Sequence, residues 1–328
     1  MEGSALVKVL VTEPILQRFR EVLTRNSSHD WVFVQGQPQG LKSAPGTGVL
    51  VGASASAELI RACGPELRLV QVTGAGIDKI AALPPHVLLA NTFHHGRSIA
   101  EHVVMVSMML LRHVPRAGQE LAEGRWRTVM TDPAVPFGGV LAGRTMGIVG
   151  FGEIGSQVAV LARALGMHVR AVRHSGRPSP AVDWMGTSGQ LPELLSSSDI
   201  VVVTVPLSEA TRGLIGAPAL KNMKQDAILV NVARGAVVDE QALHDALAQG
   251  TIGGAAIDVW WRNPRDPDAP PPSHLDFTHF DNVVLTPHQS GHTEETFRGR
   301  VLDVVANVEA LAAGRPLRNI VIGSRLSQ

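Results

Sequence analysis

Aliphatic and β-branched residues come in short unbroken runs along this chain, and between the runs the apolar positions fall at helical spacing. A run of that kind, bounded by turn formers, is what a strand covered on both faces presents. Its alternation with amphipathic segments predicts an α/β fold with parallel sheets. Before residue 98, VKVLVT, GVLVGAS, LRLVQVTG and VLLAN read as buried strands, with helices over residues 14–24 and 57–63 between them. At Ser98 the texture changes. IAEHVVMVSMMLLRHV is a long apolar helix pattern, with Ser98 placed to cap it and Glu101 to complete a capping box.

A less regular arm containing Trp126, Pro133 and Pro136 follows, and a second α/β unit starts at Arg144. Its strands are TMGIVGF, HVRAV, DIVVVTVP, AILVNVA, GGAAIDV and NVVLTP. A helix over residues 293–313 then leads to the tail GRPLRNIV. The pattern predicts two Rossmann-like, doubly wound parallel-sheet domains with a cleft between them. Residues 1–98 and 290–328 form a discontinuous substrate domain, and residues 99–289 a dinucleotide-binding domain inserted into it.

Composition narrows the function classes. The 328 residues fit two domains of common size. The 29 basic and 29 acidic residues cancel, which argues against a nucleic-acid or anionic-membrane surface. Cys63 is the single cysteine, so no intrachain disulfide forms; it reads as a small packed residue in a reducing, cytoplasmic setting. The N-terminus lacks a secretory pattern, and the apolar stretch 103–111 is far short of the ~20 residues that span a bilayer. That stretch and the arm after it suit a two-fold contact, so a homodimer is expected.

Gly150-Phe151-Gly152-Glu153-Ile154-Gly155 fits the pattern G-x-G-x-x-G. It follows a strand pattern and opens the helix SQVAVLARAL, the context in which such glycines cradle a pyrophosphate at a helix N-terminus. NAD sites carry an acid at the end of the next strand to take the ribose hydroxyls. Here that place reads Val172-Arg173-His174-Ser175-Gly176-Arg177, with no acid. Arg173, Ser175 and Arg177 suit a 2′-phosphate, so NADP(H) is expected over NAD(H), which stays possible.

Three further segments fall at strand C-termini: Asn231-Val232-Ala233-Arg234-Gly235, Asp258-Val259-Trp260-Trp261-Arg262-Asn263-Pro264 and Thr286-Pro287-His288. A fixed cation there can clamp a carboxylate and polarise the neighbouring carbonyl, and a histidine can exchange the hydroxyl proton. With these segments in order, the chain resembles the D-isomer-specific 2-hydroxyacid dehydrogenases over nearly its whole length. The likeness includes Leu141-Ala142-Gly143-Arg144, Pro206-Leu207 with Thr211, Met223-Lys224, Asp239 and Gly314-Arg315-Pro316. It implies reduction of a small 2-keto acid to the D-2-hydroxy acid, as in glyoxylate and hydroxypyruvate reductases. Arg234 would bind the substrate carboxylate and keto oxygen, and His288 would be the acid/base. Asp258 would meet the nicotinamide carboxamide. Pro206, Thr211, Ala233, Ser290 and Gly291 would line the cofactor, with His174 beside Arg173. Thr73-Gly74-Ala75-Gly76-Ile77-Asp78 resembles the family's substrate loop, where the amides of Ala75 and Gly76 would hold the carboxylate.

Two departures stand out. Most members carry a Glu where this chain has Asn263, and that Glu raises the pKa of the catalytic histidine. An amide orients the ring without the charge, so His288 is expected to titrate lower than in Glu-bearing relatives. Formate dehydrogenases of the superfamily have Gln at this place, which makes formate oxidation an alternative; a nucleotide-sensing, corepressor-like binding protein is another. The second departure is Phe93-His94-His95-Gly96-Arg97-Ser98, where His95 or Arg97 is placed to touch substrate. His94, His95 and His102 match no zinc spacing, so no metal is expected. Trp260 and Trp261 read as packing residues, one of them placed to wall the substrate pocket.

Overall fold

A computed structural model describes residues 6–25, 27–262 and 270–322. The chain forms two compact units, passing from the first to the second between His94 and His95 and back between His292 and Thr293. These crossings differ from the 98/99 and 289/290 boundaries read from sequence. The first unit begins with β1 (Lys8–Val11), a 3-10 turn over Pro14–Phe19, α1 (Arg20–Thr24), β2 (Asp30–Phe33), α2 (Gln37–Ser43), β3 (Val49–Gly52), α3 (Ala57–Cys63), β4 (Leu69–Val72) and β5 (Leu88–Ala90). The strands pair in parallel, Val9 lying opposite both Trp31 and Val49. Both faces are covered, which is why the runs are unbroken. Leu10, Leu50, Val70 and Leu89 pack with Leu59, Ile60 and Cys63 of α3. Helix α3 is capped by Ser56, whose hydroxyl accepts from Leu59 N at 3.2 Å. Burial pushes the Cys63 thiol pKa up, which leaves it protonated and unreactive.

The second unit comprises α4 (Gly96–Leu111), α5 (Val114–Ala122), β6 (Thr145–Val149), α6 (Glu153–Ala164), β7 (His168–Val172), β8 (Trp184–Gly186), α7 (Leu191–Ser197), β9 (Ile200–Val203), α8 (Ala217–Lys221), β10 (Ile228–Asn231), α9 (Glu240–Ala248), β11 (Gly254–Ile257) and β12 (Val283–Leu285). The sheet order is β12-β11-β10-β9-β6-β7-β8, parallel throughout. From β6 the chain winds outward through β7 and β8, then returns to the far side of β6 with β9. That reversal is the switch point at which open α/β sheets hold ligands. Val103, Val106, Leu110 and Leu111 of α4 pack against Val158, Ala159 and Ala162 of α6. Only Met105 and Met108 of the apolar stretch 103–111 face outward to a large degree.

The start of α4 also departs from expectation. The helix opens two residues before Ser98, and the Ser98 hydroxyl donates to Ser290 O at 2.7 Å instead of capping it. Glu101 pairs with Arg97 at 2.6 Å, so no capping box forms.

The chain returns to the first unit with α10 (Glu294–Ala312), capped by Thr293, and β13 (Ile320–Ile322). Val301, Val304 and Val308 of α10 cover Val9, Val11, Val49, Val51 and Leu69 on the second face of the first sheet. β13 adds antiparallel to β5, giving the order β13-β5-β4-β3-β1-β2 among the described residues.

Candidate active site

Parallel pairing sends the C-terminal ends of β6, β7, β9, β10, β11 and β12 to one edge of the second sheet. The glycine turn follows β6. Gly150 has φ +97, and a Cβ there would lie 2.7 Å from Val205 Cγ1 and 2.9 Å from Val205 N, just beyond β9. A Cβ on Gly155 would lie 2.4 Å from Gly150 O. Thr204 Oγ1 donates to that same oxygen at 2.6 Å and fixes the turn from β9. Gly152, by contrast, has open space where a Cβ would stand, so a pyrophosphate can approach the backbone that begins α6. This turn fits a dinucleotide. Ile154 is half-buried against the α4–α6 core, and Glu153 Oε1 accepts from Gly96 N at 3.3 Å.

After β7, Arg173 leans toward the Phe151 ring, its Cζ 5.8 Å from the ring centre. Its Nη2 donates to the carbonyls of Arg177 and Pro178. Arg177 N donates to Ser175 Oγ at 3.3 Å, and His174, Ser175 and Arg177 are exposed. The loop is a basic turn closed on itself. After β9, Thr211 Oγ1 donates to Pro206 O at 2.7 Å and accepts from Ser208 N at 2.8 Å.

Asn231, at the end of β10, is buried and clasps the turn that follows. Its Oδ1 accepts from Ala233 N at 3.2 Å, and its Nδ2 donates to Arg234 O at 3.1 Å. Arg234 Nη1 donates to Ala233 O at 2.8 Å, so backbone and guanidinium are oriented together.

Asp258, at the end of β11, is 1% exposed. Its Oδ1 accepts from Thr286 Oγ1 at 2.6 Å and from Gln289 N at 2.9 Å; its Oδ2 accepts from Ser290 N at 3.1 Å. Burial alone would raise its pKa, but the hydrogen bonds from Ser290, Thr286 and Gln289 outweigh it and hold the carboxyl below its usual range. The carboxylate therefore grips the His288 segment on both sides of the histidine. His288 is exposed and has φ +55, a left-handed conformation costing a non-glycine residue about 1–2 kcal/mol. That conformation persists because the neighbouring residues are tied.

His102 of α4 lies behind this segment, its Nε2 3.5 Å from Thr286 Oγ1. Burial lowers its pKa, and the Asp258 charge partly offsets this. Ser290 and Gly291 are buried, Gly291 against His95 and Ile99.

His95 is 7% exposed, with Nε2 3.9 Å from Glu153 Oε2, so its ring faces the start of α6. His94, in the first unit, meets Asp303 at 2.8 Å. His94, His95 and His102 thus point to three different partners, and no group of three metal-ligating side chains occurs among the described residues. Ala75 and Gly76 lie in the first unit, in the turn after β4, where Asn91 Nδ2 donates to Ala75 O at 2.9 Å. Asn263 lies outside the described residues. His292, which the sequence reading passed over, stacks on His288 with ring centres 6.1 Å apart and planes 8° apart. Its four-residue spacing from His288 was the available signal.

Residues 104–290 match the family described as "D-isomer specific 2-hydroxyacid dehydrogenase, NAD binding domain". The chain is 32% identical over 325 residues to a D-3-phosphoglycerate dehydrogenase of Archaeoglobus fulgidus, covering 96% of this chain and 59% of that one. It is 36% identical to a glyoxylate reductase of Aeropyrum pernix, over 78% of this chain and 77% of the relative. A D-isomer specific 2-hydroxyacid dehydrogenase family protein from Aeromonas salmonicida superposes with TM-score 0.82 at 25% identity, covering 97% of this chain and 99% of that one. The chain spans about half to three fifths of the length of the phosphoglycerate dehydrogenases it matches, from 47% to 59%.

Proposed function

Because the chain belongs to the D-isomer specific 2-hydroxyacid dehydrogenase family, we propose that it reduces a small 2-keto acid to the D-2-hydroxy acid. The observation that carries the reading is the clamp of Asp258 on the His288 segment, at the same sheet edge as Arg234 and the Gly150–Gly155 turn. When bound, the nicotinamide supplies the hydride. Arg234 holds the substrate carboxylate and polarises the keto oxygen. His288 donates the proton that the new hydroxyl needs and recovers it from solvent. Asp258 sets the backbone that aims His288; with both its oxygens engaged, that is the role its hydrogen bonds support.

NADP(H) is the cofactor we propose, on the strength of the basic, acid-free turn Arg173–Arg177. A 2′-phosphate would take the Arg173 guanidinium from the Arg177 and Pro178 carbonyls, exchanging neutral hydrogen bonds for charge-assisted ones. We also propose a homodimer through the α4–α5 arm. Leu121 near the end of α5, and Trp126, Met130, Phe137 and Val140 in the irregular segment after it, are all more than half exposed, apolar side chains that a partner surface would cover.

No helix among the described residues is long and apolar enough to cross a membrane. A steady-state assay with NADPH and a panel of 2-keto acids, run beside formate with NADP⁺, tests the reading. Turnover of a small keto acid is the expected result; formate oxidation, or nucleotide binding with no turnover, contradicts it.

A further inference from the structure

We propose that Trp260 is a positioning residue that couples the Arg234 turn to the His288 turn, and that the reaction depends on its indole N–H. The inference rests on the roles given above to Arg234 and His288. Trp260 Nε1 donates to Thr286 O at 2.9 Å. That oxygen also accepts from His288 N at 3.0 Å, closing a tight turn across Pro287. One carbonyl, with two lone pairs, thus holds both the indole and the backbone of the acid/base residue. The indole fixes the direction of the carbonyl, and the carbonyl fixes the left-handed His288.

The other side of Trp260 meets the arginine turn. A Cβ on Gly235 would lie 2.3 Å from both C and O of Trp260, so the residue after Arg234 lies backbone to backbone against it. A shift of Trp260 therefore moves both turns. Its neighbour Trp261 is different: its ring stacks on Phe277 at 5.5 Å and 11°, and its Nε1 donates to Val238 O at 2.8 Å, at the close of the 3-10 turn that follows Arg234, so its indole bond ties only the arginine side. The two adjacent tryptophans, alike in sequence, have separate tasks.

Two variants isolate the N–H. Trp260→Phe keeps an aromatic ring and loses the donor. Replacement of Trp260 by 3-benzothienylalanine keeps the bicyclic shape and puts sulfur where the N–H stood. Each is measured for kcat, keto-acid KM, NADPH affinity and thermal midpoint, beside Trp261→Phe and His288→Asn. The expected result is a fall in kcat of about tenfold in both Trp260 variants, the size of one lost hydrogen bond. NADPH affinity should be unchanged, and Trp261→Phe, which leaves the bond to the Thr286 carbonyl in place, should lower the thermal midpoint and reduce kcat less than either Trp260 variant. A benzothienyl variant with wild-type kcat overturns the proposal, as does loss of NADPH binding in both Trp260 variants, which would mark a general packing role. His288→Asn separates the two failures. If it retains full turnover, the acid/base assignment has failed; if it is inactive while the benzothienyl variant is not, only the Trp260 proposal has failed.

Discussion

The Thr286 hydroxyl donates to the Asp258 carboxylate at 2.6 Å, and this contact joins the ends of β11 and β12 immediately before the His288 turn. With the Gln289 and Ser290 amides on the same carboxylate, the backbone around His288 is held by a residue thirty positions earlier in the chain.

Replacing that carboxylate by its amide puts an N–H where an acceptor is required. Asp258→Asn leaves a buried donor unmatched, so we expect a loss of about 1–3 kcal/mol of stability. The kcat should fall further than that loss explains, because His288 is no longer aimed. The pH dependence follows from the depressed Asp258 pKa. Its stabilising contribution is present above the carboxyl's unfolded value and is lost as pH falls toward the folded one. Urea unfolding of wild type and Asp258→Asn should therefore converge in acid. Parallel curves would contradict the clamp.

His102 adds to the acid sensitivity in the same direction. Its folded pKa is lowered by burial, so the unfolded chain binds the proton more readily below the ordinary histidine value of about 6.5. Stability falls as pH drops through that value toward the folded one. His102→Gln should flatten the slope between about pH 7 and 5.5 in urea titrations, a window set by the unfolded value. An unchanged slope would show that the ring is already solvated.

Arg173→Ala should raise KM for NADPH by about tenfold or more, the worth of a charge-assisted contact to phosphate, and leave KM for NADH nearly unmoved. Equal effects on the two cofactors would remove the basis for the NADP(H) assignment.

Asn263→Glu should move the descending limb of the pH–rate profile upward, because a carboxylate beside an imidazolium favours its charged form. Superimposable limbs in wild type and variant would show that residue 263 does not face His288.

Much of the fold could be read from the chain because both sheets are covered on both faces, which forces runs such as IVVV over Ile200–Val203. The strands missed are edge strands. β2, β8 and β13 are short or only half covered, and Asp30 or Gly186 at their ends breaks the apolar signal. The glycine turn was legible because its requirement is local: Gly150 and Gly155 have no room for a side chain.

Long-range partners were not legible. Ser98 has the composition and position of a cap, but its hydroxyl is taken by Ser290 O, far along the chain. For Asp258 the sequence suggested a ligand contact, and gave no sign that its oxygens also accept from Thr286, Gln289 and Ser290. Trp260 suggested bulk, whereas its N–H holds the Thr286 carbonyl.

The most direct measurement is single-turnover oxidation of NADPH by glyoxylate or hydroxypyruvate in wild type, Arg234→Gln and His288→Asn, with cofactor binding measured in each. NADPH affinity should stay close to wild type in all three. Arg234→Gln should be weakened chiefly in substrate binding, and His288→Asn slowed at saturating substrate by a factor of about 10²–10⁴, the usual contribution of a positioned acid/base. His288→Asn reducing either keto acid at the wild-type rate would contradict it.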